Sequence, residues 1–232
     1  MRQARRILVV VAHPDDAEFG CGGSVAQWVA DGCEVSYCLF TSGNRGSDDP
    51  AMTPERLATI REGEQRAAAA VLGVRQVTFL GYPDGELEDT REARRDIVRE
   101  VRRVRPDRLV IQNPFPSLNP YSGHRDHRHA GRLALDAVYP YARDRMHFPE
   151  LLTEGFLPHK VREVYVMGHP EPDVVVDITG TMARKLEALR CHASQLRDFA
   201  GAEARVRERA AELGKPRGYT YAEAYRSIDL PR

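Results

Sequence analysis

The sequence predicts an α/β fold in which helices cover both faces of a mostly parallel sheet. Three observations lead there. Aliphatic runs recur along the chain, each followed by a helical pattern, and that alternation belongs to parallel sheets. The first run, Ile7 to Ala12, is apolar at every position, as in a strand buried on both faces. The 232 residues suffice for one well-buried domain, expected over 1–232, and are short for two.

The elements follow in order. Ile7 to Ala12 leads directly into His13-Pro14-Asp15-Asp16. Pro14 fixes one backbone torsion and disfavours helix at His13, so the chain leaves the strand in an extended or turn conformation. Gly20, Gly22 and Gly23 suit close packing against a helix expected from Ser24. A strand over Glu34 to Thr41 precedes a long helix from Pro54, where Thr53 suits the cap and Pro54 the first turn. A strand over Gln76 to Leu80, a helix from Thr90 and a strand over Arg108 to Gln112 come next. A helix from about Asp126, strands Val161 to Met167 and Val174 to Ile178, and helices through Leu186 and Glu208 complete the reading. Trp28, on a helix face with Val25 and Val29, is expected in the core. Two irregular stretches, Asn44 to Met52 and Tyr141 to Lys160, are expected to be lids or contacts of a homo-oligomer, because long loops in compact domains are often functional.

Composition excludes several classes. Lys+Arg and Asp+Glu balance at 34 each, so no global field argues for nucleic acid or an anionic membrane. Arg94-Arg95 and Arg102-Arg103 fall on a helix with interleaved acids and read as solvated faces. The longest aliphatic run is far shorter than the roughly 20 residues of a spanning helix, and no targeting segment is visible, so a cytoplasmic protein is expected. Cys21, Cys33, Cys38 and Cys191 form no Cys-x-x-Cys pair and are expected reduced and buried.

Chemistry concentrates at two strand ends. The first carries His13, Asp15 and Asp16. The second follows Arg108 to Gln112, in Pro120-Tyr121-Ser122-Gly123-His124-Arg125-Asp126-His127, with His127 expected in the first turn of a helix and His124 just before it. In open α/β sheets ligands gather beyond the carboxyl ends of the strands. A catalytic zinc takes three protein ligands and keeps a position for water, so His13, Asp16 and one of the later histidines would complete a set. A helix cap at Asp15 or Asp16, with His13 packed in the turn, accounts for the first cluster equally well. A solvated, charge-rich helix start accounts for His129.

Taken together, the Ala12-to-Glu18 segment and the later His124-x-Asp126-His127 resemble the PIG-L/LmbE-like zinc-dependent de-N-acetylases, which remove acetyl from N-acetylglucosamine-containing molecules. The resemblance runs through most of the chain: Thr41-Ser42-Gly43, Arg61 to Glu64, Tyr82-Pro83-Asp84-Gly85, Val176-Asp177-Ile178, His192-Ala193-Ser194-Gln195 and Tyr221 to Ala224 match recurring family segments. It implies a Rossmann-like three-layer fold and a hydrolase. It further implies that His13, Asp16 and His127 bind Zn²⁺ and that Asp15 is the general base. His124 is then a charged stabiliser of the tetrahedral intermediate, with Asp126 holding its imidazole. Arg61 and Asp84 would meet the sugar or its substituent, and His192 would reach the cleft. The donor set also suits ferrous iron.

Elementary chemistry agrees. An amide is a poor electrophile, so its hydrolysis needs a polarised carbonyl, a hydroxide near neutral pH and an acid for the leaving amine. Two departures stand out. Asn44 and Arg45 follow Gly43 where the family has glutamate, and Arg125 replaces a common proline. Three other classes compete: a zinc amidase for a bulkier conjugate, a non-catalytic sugar-binding protein, and a nucleotide-binding domain. The last is disfavoured because His-Pro-Asp-Asp fills the turn where glycines would approach a pyrophosphate.

Overall fold

The computed structural model describes residues 4–115 and 123–230; Pro120, Tyr121 and Ser122 of the second motif lie outside these residues. Among the described residues seven strands form one sheet: β1 (Arg6–Val11), β2 (Glu34–Thr41), β3 (Gln76–Tyr82), β4 (Arg108–Gln112), β5 (Glu163–Met167), β6 (Val174–Asp177) and β7 (Ala222–Asp229). Their order is β3-β2-β1-β4-β5-β7-β6. The first five run parallel, and β7 is antiparallel to both neighbours. The helices are α1 (Asp16–Ala30), α2 (Pro54–Leu72), α3 (Arg91–Val104), α4 (Arg125–Asp136), α5 (Glu150–Thr153), α6 (Met182–Arg190) and α7 (Phe199–Gly214). None of the described helices is long and apolar enough to cross a membrane.

The period of two in β1 divides the core between the faces of the sheet. Leu8, Val10 and Ala12 pack with α3 and α4 through Ile97, Val101, Leu133 and Ala134. Ile7, Val9 and Val11 pack on the other face with α1 and α2 through Ala17, Val25, Ala69 and Leu72. Strand order reverses between β1 and β4, which opens a crevice at their carboxyl ends. Val10 and Ile111 are the last residues paired there. Beyond them the Ala12 N–H donates to the Gln112 side-chain carbonyl at 2.9 Å, so a side chain takes over where the ladder stops. Helix α4 comes close against this end because of Gly131, where a Cβ would lie 2.3 Å from the Gln112 carbonyl oxygen.

Thr53 caps α2 by accepting the Arg56 N–H, and Thr90 caps α3. Four features depart from expectation. Helix α1 starts at Asp16, eight residues before Ser24, and carries the glycines inside it. Tertiary packing overrides their poor helix propensity: a Cβ on Gly23 would lie 2.7 to 2.9 Å from Ile178, and one on Gly20 would lie 2.6 Å from Met167 Sδ. Strand β7, which no local pattern predicts, enters between β5 and β6. Arg102 is buried rather than solvated. Its guanidinium donates to the carbonyls of Tyr141, Ala142, Asp144, His147 and Phe148 and ties down much of the irregular stretch after α4. Trp28 is in the core, whereas only Cys21 and Cys38 of the cysteines are buried, Cys33 and Cys191 being half-exposed.

Candidate metal centre

The turn after β1 takes its shape from Asp15, which has φ +84°, a left-handed conformation rarely adopted by a residue with a side chain. Its side chain does not cap α1. Its N–H donates to Gln65 Oε1 at 3.0 Å, and its Oδ2 accepts from Gln195 Nε2. The Asp16 carboxylate turns back instead, accepting the His13 backbone N–H at 2.7 Å. Neither aspartate is therefore spent on helix capping, and both remain at the crevice.

Three donors converge. His127 Nε2 is 3.0 Å from Asp16 Oδ1 and 3.2 Å from His13 Nδ1, and His13 Nδ1 is 3.5 Å from Asp16 Oδ2. Ligands at zinc distances of about 2.0 to 2.1 Å in a tetrahedron stand about 3.3 Å apart, so the set has the spacing of a metal site. The other ring nitrogen of His13 faces carboxylates: Nε2 is 3.0 Å from Asp84 Oδ1 and 3.2 Å from Asp126 Oδ2. His13, Asp84 and Asp126 form a second group of potential donors, and His13, His124 and His127 a third. Burial opposes a charge on His13, yet hydrogen bonds to the Asp126, Asp16 and Asp84 carboxylates outweigh it and push the imidazole pKa up to about 12. Burial likewise opposes the Asp16 charge, but His127 and His13 hold its carboxyl far below the usual range. Asp15 goes the other way, raised well above an ordinary carboxyl by burial and by the charges of Asp16 and Glu18.

His124 is the N-cap of α4, its Nδ1 accepting the Asp126 N–H at 3.2 Å. Its ring packs edge-on to His13 with centroids 4.9 Å apart and lies 5.1 Å from that of His127. Burial and the neighbouring His13 and His127 lower its pKa, which disfavours the charged form expected of it. Asp126 holds His124 through its backbone rather than its carboxylate. That carboxylate is fully buried, with Oδ2 accepting the Gly85 N–H at 2.7 Å and facing His13.

The remaining expected residues divide. Asp84 is in the cluster, its Oδ2 accepting the Arg45 N–H at 3.3 Å. Arg61 is buried, and its guanidinium donates to the carbonyls of Gly43 and Arg45, fixing the loop that carries the departing residues. Within that loop Asn44 Oδ1 accepts the Asp84 N–H, and Arg45 pairs with Glu86 at the exposed rim. His192 does not reach the cleft: it is fully buried with Nε2 3.1 Å from Glu18 Oε2. The side chain that does arrive from that segment is Gln195. Local sequence alone gives Gln195 no role; its place beside His192 in a recurring segment is the available signal.

Residues 8–138, more than half the chain, match the family model described as GlcNAc-PI de-N-acetylase. The chain belongs to the PIG-L family. A diacetylchitobiose deacetylase from Thermococcus kodakarensis is 34% identical over 97% of this chain and 83% of its own. The structure of the N,N'-diacetylchitobiose deacetylase from Pyrococcus horikoshii superposes with a TM-score of 0.91 at 32% identity, covering 98% of this chain and 85% of that one. A 4-carboxy-2-hydroxymuconate hydratase from Pseudomonas putida has the same fold, with a TM-score of 0.82 at 25% identity and coverage of 98% and 97%. The α/β architecture expected from strand and helix alternation is therefore that of this PIG-L chain and of its deacetylase relatives.

Proposed function

We propose that this PIG-L protein is a zinc-dependent de-N-acetylase, one catalytic unit that hydrolyses the acetamide of an N-acetylglucosamine-containing small molecule to acetate and free amine. The observation that carries the reading is the convergence of His13 Nδ1, Asp16 and His127 Nε2 at 3.0 to 3.5 Å beside an Asp15 that is not one of the three. His13, Asp16 and His127 would hold the metal, and Asp126 accepts the His13 Nε2–H with Asp84 3.0 Å from the same nitrogen, fixing the tautomer that leaves Nδ1 free. Of the other two donor groups, one draws on His124, whose Nδ1 already accepts the Asp126 N–H, and the other on the His13 nitrogen that faces Asp84 and Asp126. Bound zinc would supply Lewis acidity for the amide carbonyl and bring the pKa of water towards about 7.

The protein's own groups supply the proton traffic. Asp15 takes a proton from the attacking water and returns it to the departing nitrogen. A base with a pKa above the ordinary carboxyl range suits both steps at neutral pH. Because Asp15 Oδ2 is engaged by Gln195, the proton exchanges at Oδ1. His124, with Nδ1 accepting a backbone N–H, carries its proton on Nε2 and donates it as a hydrogen bond to the carbonyl oxygen as charge builds there. Arg61 acts on substrate indirectly, through the loop it holds.

The relatives named as diacetylchitobiose deacetylases support an amino-sugar substrate, and the balanced net charge gives no reason to add a nucleic acid. The hydratase relative marks the second reading, since adding water to a carbon–carbon double bond needs an activated water too. Acetate release separates them. Zinc-loaded protein should release acetate from one or more members of a panel of N-acetylglucosaminides, and the Asp15→Asn variant should not. Metal-loaded protein that releases none across the panel would overturn the proposal, and a bulkier amide or an unsaturated acid would be tried next.

A further inference from the structure

The segment after α6 is held to α1, to α2 and to the active-site turn through every polar side chain in His192-Ala193-Ser194-Gln195. His192 Nε2 meets Glu18 Oε2 at 3.1 Å. The Ser194 N–H and hydroxyl donate to the two Glu64 oxygens at 2.7 and 2.6 Å. Gln195 Nε2 donates to the Pro14 carbonyl at 3.0 Å and to Asp15 Oδ2. The turn is closed on itself, because the N–H groups of Gln195 and Leu196 both donate to the His192 carbonyl.

A second path returns to the same aspartate. The Asp15 N–H donates to Gln65 Oε1 at 3.0 Å, and Gln65 Nε2 donates to Glu18 at 2.9 and 3.1 Å. The contacts therefore close a circuit: Asp15, Gln65, Glu18, His192, the backbone of the turn, Gln195 and Asp15 again. Glu18, Gln65 and His192 are all fully buried, so none can touch a substrate in the crevice. What the circuit surrounds is a residue in a left-handed backbone conformation, and such a conformation persists only where its surroundings over-determine it.

Resting on the reading of Asp15 as the base, we infer that the turn from His192 to Leu196 is a clamp that sets the position of the Asp15 carboxylate. Gln195 is its contact, and His192, Ser194, Glu18 and Gln65 are positioning residues. A base must sit within hydrogen-bond reach of the proton it takes, and a displacement of 1 Å can cost about 10²-fold in rate. The clamp also gives the segments after β5 a part in catalysis.

The test compares Gln195→Met, which keeps length and removes the amide, with His192→Leu and His192→Gln, the last restoring a donor to Glu18. Gln195 is only half-buried, so its variant stays folded even where His192→Leu does not. Each is assayed for kcat, KM, zinc affinity and hydrogen exchange of the peptide covering residues 13–20. The clamp predicts a kcat lower by about 10- to 100-fold in Gln195→Met and His192→Leu, with partial recovery in His192→Gln. KM and zinc affinity stay within about threefold, and exchange in the 13–20 peptide rises, since these variants lose no metal ligand. A Gln195→Met protein with parental kcat and parental exchange overturns the inference, as does a loss of zinc affinity matching the loss of rate. Should the parent release no acetate, the de-N-acetylase reading falls separately, and exchange of the 13–20 peptide alone decides whether the turn restrains Asp15.

Discussion

Asp84→Asn tests which partner this carboxylate serves. The family resemblance directs it to the sugar; the geometry directs it to His13, whose Nε2 lies 3.0 Å from Asp84 Oδ1. The substitution keeps the size and an acceptor oxygen and removes the charge. Loss of a group that orients a metal-binding histidine lowers metal affinity by about 10- to 100-fold. Asp126 Oδ2 remains 3.2 Å from the same nitrogen, so the single variant belongs at the low end. A tenfold loss, about 1.4 kcal/mol, is expected for Asp84→Asn, and the double variant with Asp126→Asn should approach 100-fold, about 2.7 kcal/mol.

The assay is zinc competition against a chromophoric chelator at fixed pH, run beside KM for acetate release. Weaker zinc binding with KM held within about threefold supports the positioning role. Unchanged zinc affinity with KM raised tenfold or more would refute it and return Asp84 to the substrate.

Asp15→Asn should retain zinc and lose at least about 10²-fold in kcat, the scale of a general base; metal analysis and single-turnover acetate release check both halves. Arg102→Met should destabilise by about 3 kcal/mol, because buried carbonyls between Tyr141 and Phe148 lose their donor, and the melting temperature should fall by roughly 6 to 12 °C. Burial opposes the Asp107 charge, but the backbone N–H groups of Arg5 and Arg6 outweigh it and hold its pKa below the ordinary range. A depressed carboxylate contributes its stability above the unfolded value of about 3.9 and loses it as pH falls through the folded value. Asp107→Asn should therefore unfold more easily than the parent at pH 7, and the difference should shrink as pH falls below the unfolded value of about 3.9 in urea titrations.

The parallel half of the sheet was legible because its strands declare themselves one at a time. Ile7 to Ala12 is apolar throughout, and Thr53-Pro54 marks a helix start by local chemistry alone. Strand β7 is hidden because Ala222, Glu223 and Ala224 have poor strand propensity and their alternation breaks off at Tyr225, Arg226 and Ser227, so the segment becomes a strand through pairing with β5 and β6. Glu223 is buried there as the acceptor for the Gly23 and Ser24 N–H groups and for Lys185, contacts made across about 200 and 38 residues that no local pattern encodes. The start of α1 is hidden for a related reason, since Ile178, remote in sequence, is what requires glycine at position 23.

At the centre itself the residues could be named from the sequence, but their partners could not. An imidazole has two nitrogens, and which one meets a metal is decided by what the other one finds. For His13 that depends on Asp84, carried by the loop after β3, and on Asp126 in α4, neither a neighbour in sequence. The same pairing explains why two carboxylates assigned to sugar and to His124 instead converge on one histidine. It also leaves Asp15 outside the donor set, as the proposed mechanism requires: Asp16, one residue on, is the carboxylate that His13 and His127 claim. Two adjacent aspartates thus acquire different duties from the groups that face them, and those groups arrive from α2, α4 and the turn after α6, so the division of labour belongs to the fold rather than to the motif.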